Sequence, residues 1–142
     1  MIRLYATEKV NLDFDPAVPC FIDAKFGFQL TEEFRYCMKY ALQLFKEKRE
    51  EYPSIGWIAN LSQVNVLDPE DSKWMISYWN PAALEVGLRC VAFIEPESDF
   101  LRGNVERYTQ KSEPMGMVIN SFCDLEMAKD WLRSQLLVTN TP

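Results

Sequence analysis

The segment Ile55–Asp71, which reads IGWIANLSQVNVLDPED, decides the fold. Its first part, Ile55–Leu61, is an apolar run of strand length, and the polar stretch after it is interpreted as a loop. Its end, Asp68-Pro69-Glu70-Asp71, combines a capping side chain, a proline suited to a first helical turn and two further acids, which predict a helix start. A strand, a loop and a helix in this order are typical of an open α/β sheet, in which such junctions hold ligand or regulatory sites.

Strand and helix patterns alternate through the rest of the chain. Strands are predicted first, at Ile2–Tyr5, Val10–Phe14 and Cys20–Phe28, where apolar and polar residues alternate as in half-buried antiparallel strands. The clearest helix is Thr31–Glu51, because its apolar residues recur at steps of three and four, and Thr31 is predicted to cap it. The later predicted elements are a helix broken at Asn80-Pro81 and closed by Gly87, a buried strand Leu88–Ile94, a helix from Ser98 or Asp99 to about Tyr108, a strand Met117–Phe122 and a helix capped by Asp124.

This order of elements predicts the fold class. Strands followed by alternating helices and strands indicate an α/β domain with a mixed, mainly parallel sheet, amino-terminal antiparallel edge strands and about four flanking helices. The 142 residues suit a single domain, 1–142. The tail from Leu136 to Pro142 has no pattern and is expected to be loose.

The charge of the chain narrows the classes of partner. Acidic residues outnumber basic ones by 21 to 15, and the formal net charge is −6. Such a surface repels phosphate groups, so nucleic acid and anionic membranes are not expected as partners. The amino-terminal sequence lacks the apolar core of a signal peptide, and no apolar run approaches the ~20 residues that span a bilayer. A cytoplasmic protein is therefore expected.

The residues that most often carry catalysis or bind metals are scarce. The chain has no histidine, which excludes Ser-His-Asp and Cys-His hydrolases and histidine-based zinc sites. Its cysteines form no CxxC pair, lie in apolar runs and are predicted to be buried and reduced: Cys20, Cys37, Cys90 and Cys123. Glycine-rich phosphate loops and a G-x-S-x-G nucleophile motif are also missing. No catalytic residue, metal or cofactor is predicted.

Paired carboxylates leave one enzymatic alternative open. The pairs are Asp13/Asp15, Asp68/Asp71 and Glu95/Glu97. Each is explained more simply by a solvated surface or a helix cap, because acid–base catalysis needs two carboxylates of different environment in one pocket. A histidine-free enzyme is therefore the second alternative function.

Aromatic residues on one predicted helix give the first alternative. Trp74, Tyr78 and Trp79 fall on overlapping faces, with more aromatic bulk than one core stripe usually accepts. Core packing is the favoured interpretation, and a pocket wall is the other one. If these rings form a pocket wall, the protein is a carrier or sensor of a small apolar or amphipathic ligand.

Several short motifs carry a family resemblance. Asn60-Leu61-Ser62-Gln63-Val64 followed by Asp68 resembles the D-L-S-x-V strand and D-S-S-G helix start of the STAS-like family, the anti-sigma-factor antagonists of the sporulation protein IIAA-like fold. Two further matches, Trp79-Asn80-Pro81 and Ala92-Phe93-Ile94-Glu95-Pro96, resemble a branch of bacterial STAS-like proteins of undefined role. The resemblance covers half to two-thirds of the chain, from about Trp57 onward.

The resemblance implies a regulatory module that binds an unknown protein partner and is not an enzyme. Its contact surface would consist of the loop after the central strand, the next helix start and the loop after the following strand: Asn60, Ser62, Asp68, Ser72, Glu95, Glu97 and Ser98. Better-understood members are phosphorylated on the serine after the aspartate, but Pro69 stands at that position here. A phosphoserine switch of that form is therefore not predicted. An exposed edge in the amino-terminal strands would allow a homodimer.

Overall fold

One six-stranded mixed sheet organises the molecule. The computed structural model describes residues 1–139, and the strands lie side by side in chain order. The strands are β1 (Ile2–Ala6), β2 (Val10–Asp15), β3 (Cys20–Phe28), β4 (Gly56–Val66), β5 (Cys90–Ile94) and β6 (Val118–Phe122). The pairs β1–β2 and β2–β3 are antiparallel, whereas β3–β4, β4–β5 and β5–β6 are parallel. The predicted α/β class, with antiparallel strands at the amino-terminal edge, is confirmed.

Four helical segments flank the sheet within the described residues. They are α1 (Thr31–Lys48), a composite segment of α2 (Pro69–Trp74), a π-helical turn (Met75–Trp79) and α3 (Asn80–Glu85), then α4 (Asp99–Ser112), which continues into a 3₁₀ turn (Glu113–Met115), and finally α5 (Leu125–Thr139). The side chains of Asp68, Ser98 and Asp124 accept hydrogen bonds from the backbone at the starts of α2, α4 and α5, as predicted. Gly87 follows α3 with a φ of 99°, which suits the predicted glycine stop.

The helices form two layers because of the strand order. The parallel strands run in one direction across the sheet, so right-handed crossovers place α1, the composite segment and α4 on one face. The larger core lies there, around Trp57, Phe21 and Phe45. A smaller core covers the other face, where α5 contributes Ala128, Leu132 and Leu136. A Cβ atom at Gly56 would lie 2.8 Å from Leu132 Cδ2, so α5 lies close to β4.

The central strand is longer than predicted. Residues 62–66, interpreted from sequence as part of a loop, belong to β4. Leu61 and Val64 are buried in the larger core, and β3 continues far enough to pair Phe28 with Val66. The long partner strand therefore supplies the hydrogen bonds that keep this polar stretch extended.

The break predicted at Asn80-Pro81 is a π-helical turn instead. Asn80 has helical angles, with φ −59° and ψ −48°, so it continues the helix and does not cap a new one. Its side chain is fully buried and makes hydrogen bonds inside the molecule. The proline is tolerated because it lies in the first turn of α3.

Three smaller predictions were wrong. Thr31 does not cap α1, because Leu30 holds the cap position and the Thr31 hydroxyl donates to Asp71 at 3.2 Å. The tail is not loose from Leu136, since α5 extends to Thr139 and Leu136 is buried; the last three residues, 140–142, lie outside the described residues. Cys123 is exposed, whereas the other three cysteines are buried as predicted.

Burial keeps two of these thiols protonated. It raises the pKa of Cys20 to about 12 and that of Cys37 to about 11. Within residues 1–139, no helix is long and apolar enough to cross a membrane.

Candidate functional site

A small cavity lies between the sheet and the helices of the larger layer. Its volume is about 80 Å³, and strands β3, β4 and β5 form its floor. Helices α1 and α4 and the composite segment enclose it. Its apolar lining includes Phe34, Met38, Trp57, Trp79, Phe93 and Val105. Aromatic rings make up much of this wall, and Trp57 and Trp79 meet edge to face with centroids 5.2 Å apart.

A buried ion pair forms part of the cavity wall. Asp23 and Lys25 lie two residues apart on β3, and their side chains are 0% and 4% exposed. The Lys25 ammonium donates to Asp23 Oδ1 and lies 3.5 Å from the sulfur of Met38. Trp57 Nε1 donates to the other carboxylate oxygen of Asp23 at 2.6 Å. Lysine and aspartate are almost never fully buried unless they are paired, which makes this the most unusual chemistry of the fold.

A second polar side chain that lines the cavity, Tyr108, belongs to α4. Its hydroxyl donates to Asn80 Oδ1 at 2.5 Å. Asn80 Nδ2 in turn donates to the Ser112 hydroxyl at 2.9 Å. Burial raises the pKa of Tyr108 to about 12, so this phenol stays protonated and remains a donor. The network links α3 to α4 behind the cavity.

The mouth of the cavity lies where β4 ends and α2 begins. Leu67, Asp68, Ser72 and Asn104 line the cavity there and are half-buried. Asp71 is buried behind the mouth and pairs with Arg35 of α1 at 3.0 Å. This ion pair and the hydrogen bond from the Thr31 hydroxyl both tie α2 to α1.

Aromatic residues of the composite segment separate into an inner and an outer set. Trp79 is buried, lines the cavity and donates from Nε1 to the Met38 carbonyl at 2.8 Å. Trp74 and Tyr78 do not line it; their rings stack on each other with centroids 5.3 Å apart. The Arg35 guanidinium lies over Trp74, and the Lys39 ammonium lies over Tyr78. This outer stack joins the composite segment to α1.

The size of the cavity limits its ligand. Pockets for drug-sized molecules usually measure about 300–1,000 Å³, so a cavity of about 80 Å³ accepts a much smaller molecule. A carrier of a larger amphipathic ligand would require the composite segment to move. Within residues 1–139, no group of three or more histidine, cysteine, aspartate or glutamate side chains is arranged to hold a metal.

The residues predicted as a contact surface lie near the carboxyl ends of the parallel strands. Asp68 and Ser72 lie at the cavity mouth. Asn60 pairs with Ile94 across β4 and β5, and its side chain accepts from the Ser62 hydroxyl at 2.7 Å. Glu95, Glu97 and Ser98 follow β5 and precede α4. Asn60 and Ser62 therefore lie on β4, which is the strand next to β5. The loop after β5 holds Glu95, Glu97 and Ser98.

Exposed apolar side chains lie at the same end of the sheet. We call them the carboxyl-end patch: Phe28, Leu30, Val66 and Phe100, which are 50%, 49%, 46% and 74% exposed. Phe28 and Val66 pair at the ends of β3 and β4, and Leu30 follows two residues after Phe28. Phe100 lies in the first turn of α4, just after β5. Clustered exposed apolar residues are typical of interaction sites.

Two of the carboxylates predicted to be solvated are buried. Asp15 is 7% exposed and pairs with Lys129 of α5 at 2.8 Å, and Asp71 is 3% exposed. Burial alone would raise the pKa of Asp15, but hydrogen bonds from Lys129 and the Ala17 amide outweigh it and hold the pKa below its ordinary value. Asp13 is half-buried and pairs with Arg3. These ion pairs come from distant segments, which the sequence pattern does not reveal.

The sequence did not indicate the buried pair on β3. The alternation in FIDAKF predicts a strand with one buried face and one solvent-exposed face. In the structure both faces of β3 are covered, and Asp23 and Lys25 point into the larger core. A signal was present, because opposite charges two residues apart share one face of a strand and can pair there. No sequence pattern indicated that Asn80 and Tyr108 form a buried hydrogen bond.

The chain was compared with known proteins in three ways. No protein-family model matches it, and neither the curated proteins nor the solved structures compared with it gave a match.

Proposed function

We propose that this chain is a non-enzymatic, STAS-like regulatory module that binds a partner protein through the carboxyl-end patch. The observation that supports the proposal is that Phe28 and Val66 are exposed where β3 and β4 end together, with the exposed Leu30 just after β3 and the exposed Phe100 in the helix that follows β5. Open α/β sheets bind ligands at this end of their strands. The proposed contact residues Asn60, Asp68 and Glu95 belong to the same end.

The charge around the patch indicates the chemistry of the partner. Glu70 and Asp99 pair with Lys73 and Arg102, respectively. Asp68, Glu95 and Glu97 have no ion pair in the part of the chain that the structure describes. The rim is therefore acidic, in line with the net charge of −6. A partner that fits this surface presents apolar side chains bordered by lysine or arginine.

The enzymatic alternative stays a prediction. Asp23 and Asp71 come from different segments and both line the cavity, which is the arrangement that acid–base catalysis needs. Each carboxylate is held in an ion pair, however, with Lys25 and Arg35 respectively. These pairs support a structural or binding role for both acids.

The test compares partner retention by matched surface variants. The double variant Val66→Ser/Phe100→Ser removes apolar area from the patch without touching the core, and Met127→Ser removes an exposed apolar residue from α5 on the other face. A partner captured by the wild-type chain should be retained by the α5 variant and weakened at least about tenfold by the patch variant, because central apolar contacts dominate interface energies. Raising the salt concentration should slow association, since rim charges act mainly on the association rate.

Equal retention by all three proteins would contradict the proposal. It would also be contradicted if the α5 variant lost the partner while the patch variant kept it. Far-ultraviolet circular dichroism of each variant establishes that the fold is intact.

A further inference from the structure

Lys25 lines a cavity large enough for a small molecule. The side chain is 4% exposed, and its nitrogen lies 5.3 Å from the centre of the Phe34 ring. An ammonium has three N–H donors, whereas its neighbours here are one carboxylate and the sulfur of Met38, a weak acceptor. The surroundings thus provide less hydrogen bonding than a buried ammonium can use.

Asp23 is placed to exchange a proton with this amine. Its carboxylate accepts from Lys25 at one oxygen and from Trp57 Nε1 at the other, at 2.6 Å. The two groups are in direct hydrogen-bond contact, so the ammonium proton can pass to Asp23 without crossing solvent. The neutral amine that remains is a nucleophile, as in buried lysines that form Schiff bases.

We propose that Lys25 is a reversible covalent binding site for small aliphatic aldehydes or ketones. Asp23 takes the ammonium proton, and the Lys25 nitrogen attacks the carbonyl carbon, so that a C–N bond forms. The carbonyl oxygen takes one proton from the attacking nitrogen and a second from the protonated Asp23, and it leaves as water when the C–O bond breaks. The product is a protonated imine with the Asp23 carboxylate as its counter-ion. Water reverses each step, and no oxidant or reductant is needed.

The cavity determines the size of the carbonyl compound. Benzene occupies an engineered apolar cavity of about 150 Å³, so the cavity here fits a molecule of roughly three to five heavy atoms. The aromatic and aliphatic lining favours an alkyl chain. Entry is through the mouth at Leu67 and Ser72. No residue of the carboxyl-end patch lines the cavity, so the two proposals are tested by different variants.

The experiment measures which lysine of the folded wild-type chain reacts. The protein is incubated briefly at about pH 7 with propanal and cyanoborohydride, which reduces an imine to a stable secondary amine, and peptide mass spectrometry then locates the added propyl group. Lys111, which is exposed near the end of α4, is the internal reference. Lys25 should be alkylated at least about tenfold faster than Lys111, because the cavity holds propanal beside Lys25 and Asp23 accepts the proton of its amine.

A purely structural ion pair gives the opposite result. In that case burial protects Lys25, and it reacts more slowly than Lys111 or not at all, which would overturn the proposal. A bulky aromatic aldehyde should reverse the preference, because it reaches Lys111 but does not fit the cavity. If it labels Lys25 as fast as propanal does, the assignment of the site to this cavity is wrong.

Tryptophan emission measures reversible imine formation in the absence of the reductant. Trp57 shares the Asp23 carboxylate with Lys25, so imine formation should change tryptophan emission as propanal is titrated. The variant Lys25→Arg keeps the positive charge but does not form an imine, and it should abolish the change. The matched variant Lys111→Arg should retain it. Emission changes of equal size in both variants would contradict the proposal.

Discussion

At the scale of single residues, Asp23 and Lys25 are the unusual feature of this protein. They occupy one face of β3 and point into the larger core, where the Trp57 indole completes the hydrogen bonding of Asp23. A buried pair of this kind often contributes little net stability compared with apolar residues, because both charges lose their hydration. Removal of one partner has a larger effect, because the other charge is left alone in the core.

The variant Lys25→Met should lower the free energy of unfolding by about 3–5 kcal/mol at neutral pH, because it leaves the Asp23 carboxylate buried without its counter-ion. Urea denaturation measures this loss. The double variant Asp23→Asn/Lys25→Met should recover part of it, since the asparagine carbonyl would still accept from Trp57 without carrying a charge. A loss below about 1 kcal/mol for Lys25→Met would show that Asp23 finds another partner or becomes protonated at little cost.

At the scale of elements, the composite segment from Pro69 to Glu85 determines the shape of the cavity. Its π-helical turn, Met75–Trp79, inserts extra backbone between the cap at Asp68 and the buried Asn80. Such turns occur often at functional sites because they reorient the side chains that follow them. Here the turn directs Trp79 to the Met38 carbonyl and Asn80 to Tyr108 and Ser112.

Deletion of the exposed Ser77 should convert the turn to regular α-helix and rotate the following residues by about 100°. Trp79 and Asn80 would then lose their buried hydrogen bonds, and the expected loss is at least about 3 kcal/mol in the free energy of unfolding. Denaturation followed by tryptophan emission measures it. The substitution Ser77→Ala is the control and should stay within about 0.5 kcal/mol of the wild type. A deletion variant as stable as this control would show that the turn has no structural role.

At the scale of the whole molecule, ion pairs between distant segments join helices to each other and to the sheet. Arg35–Asp71 joins α1 to α2 in the larger layer. Lys129–Asp15 joins the carboxyl-terminal helix α5 to the end of β2, and these side chains are only 10% and 11% exposed. The second pair makes the stability of the molecule depend on pH, because the pKa of Asp15 is lower in the folded chain than its ordinary value.

The stabilisation from Asp15 should therefore be complete above its unfolded pKa of about 3.9 and be lost as the pH falls through the lower folded pKa. The variant Lys129→Met should be less stable than the wild type by about 1–3 kcal/mol at neutral pH, and this difference should shrink below about pH 4. Thermal unfolding across this pH range measures both. The exposed Lys111→Met is the control and should show neither effect. A difference that does not change with pH would mean that Lys129 stabilises α5 by packing alone.

Local patterns carried enough information for most of the fold. The helical spacing in Thr31–Lys48 and the caps at Asp68, Ser98 and Asp124 depend on interactions within a few residues, and the structure contains all of them. The continuous apolar run of β5 indicated a strand covered on both faces, and each of its residues is buried. The order of these elements then required a mainly parallel sheet.

The candidate site depended on contacts that the sequence does not show. The alternation in β3 identifies two faces, but only the positions of α1 and α5 decide that Asp23 and Lys25 face a core. The length of β4 depends on its pairing with β3, and the carboxyl-end patch depends on β3 and β4 ending together at Phe28 and Val66. The sequence by itself therefore determined which elements form and in what order, because caps and periodicity are local. The tertiary structure alone decided which polar groups are buried together, since that follows from the packing of segments distant in the chain.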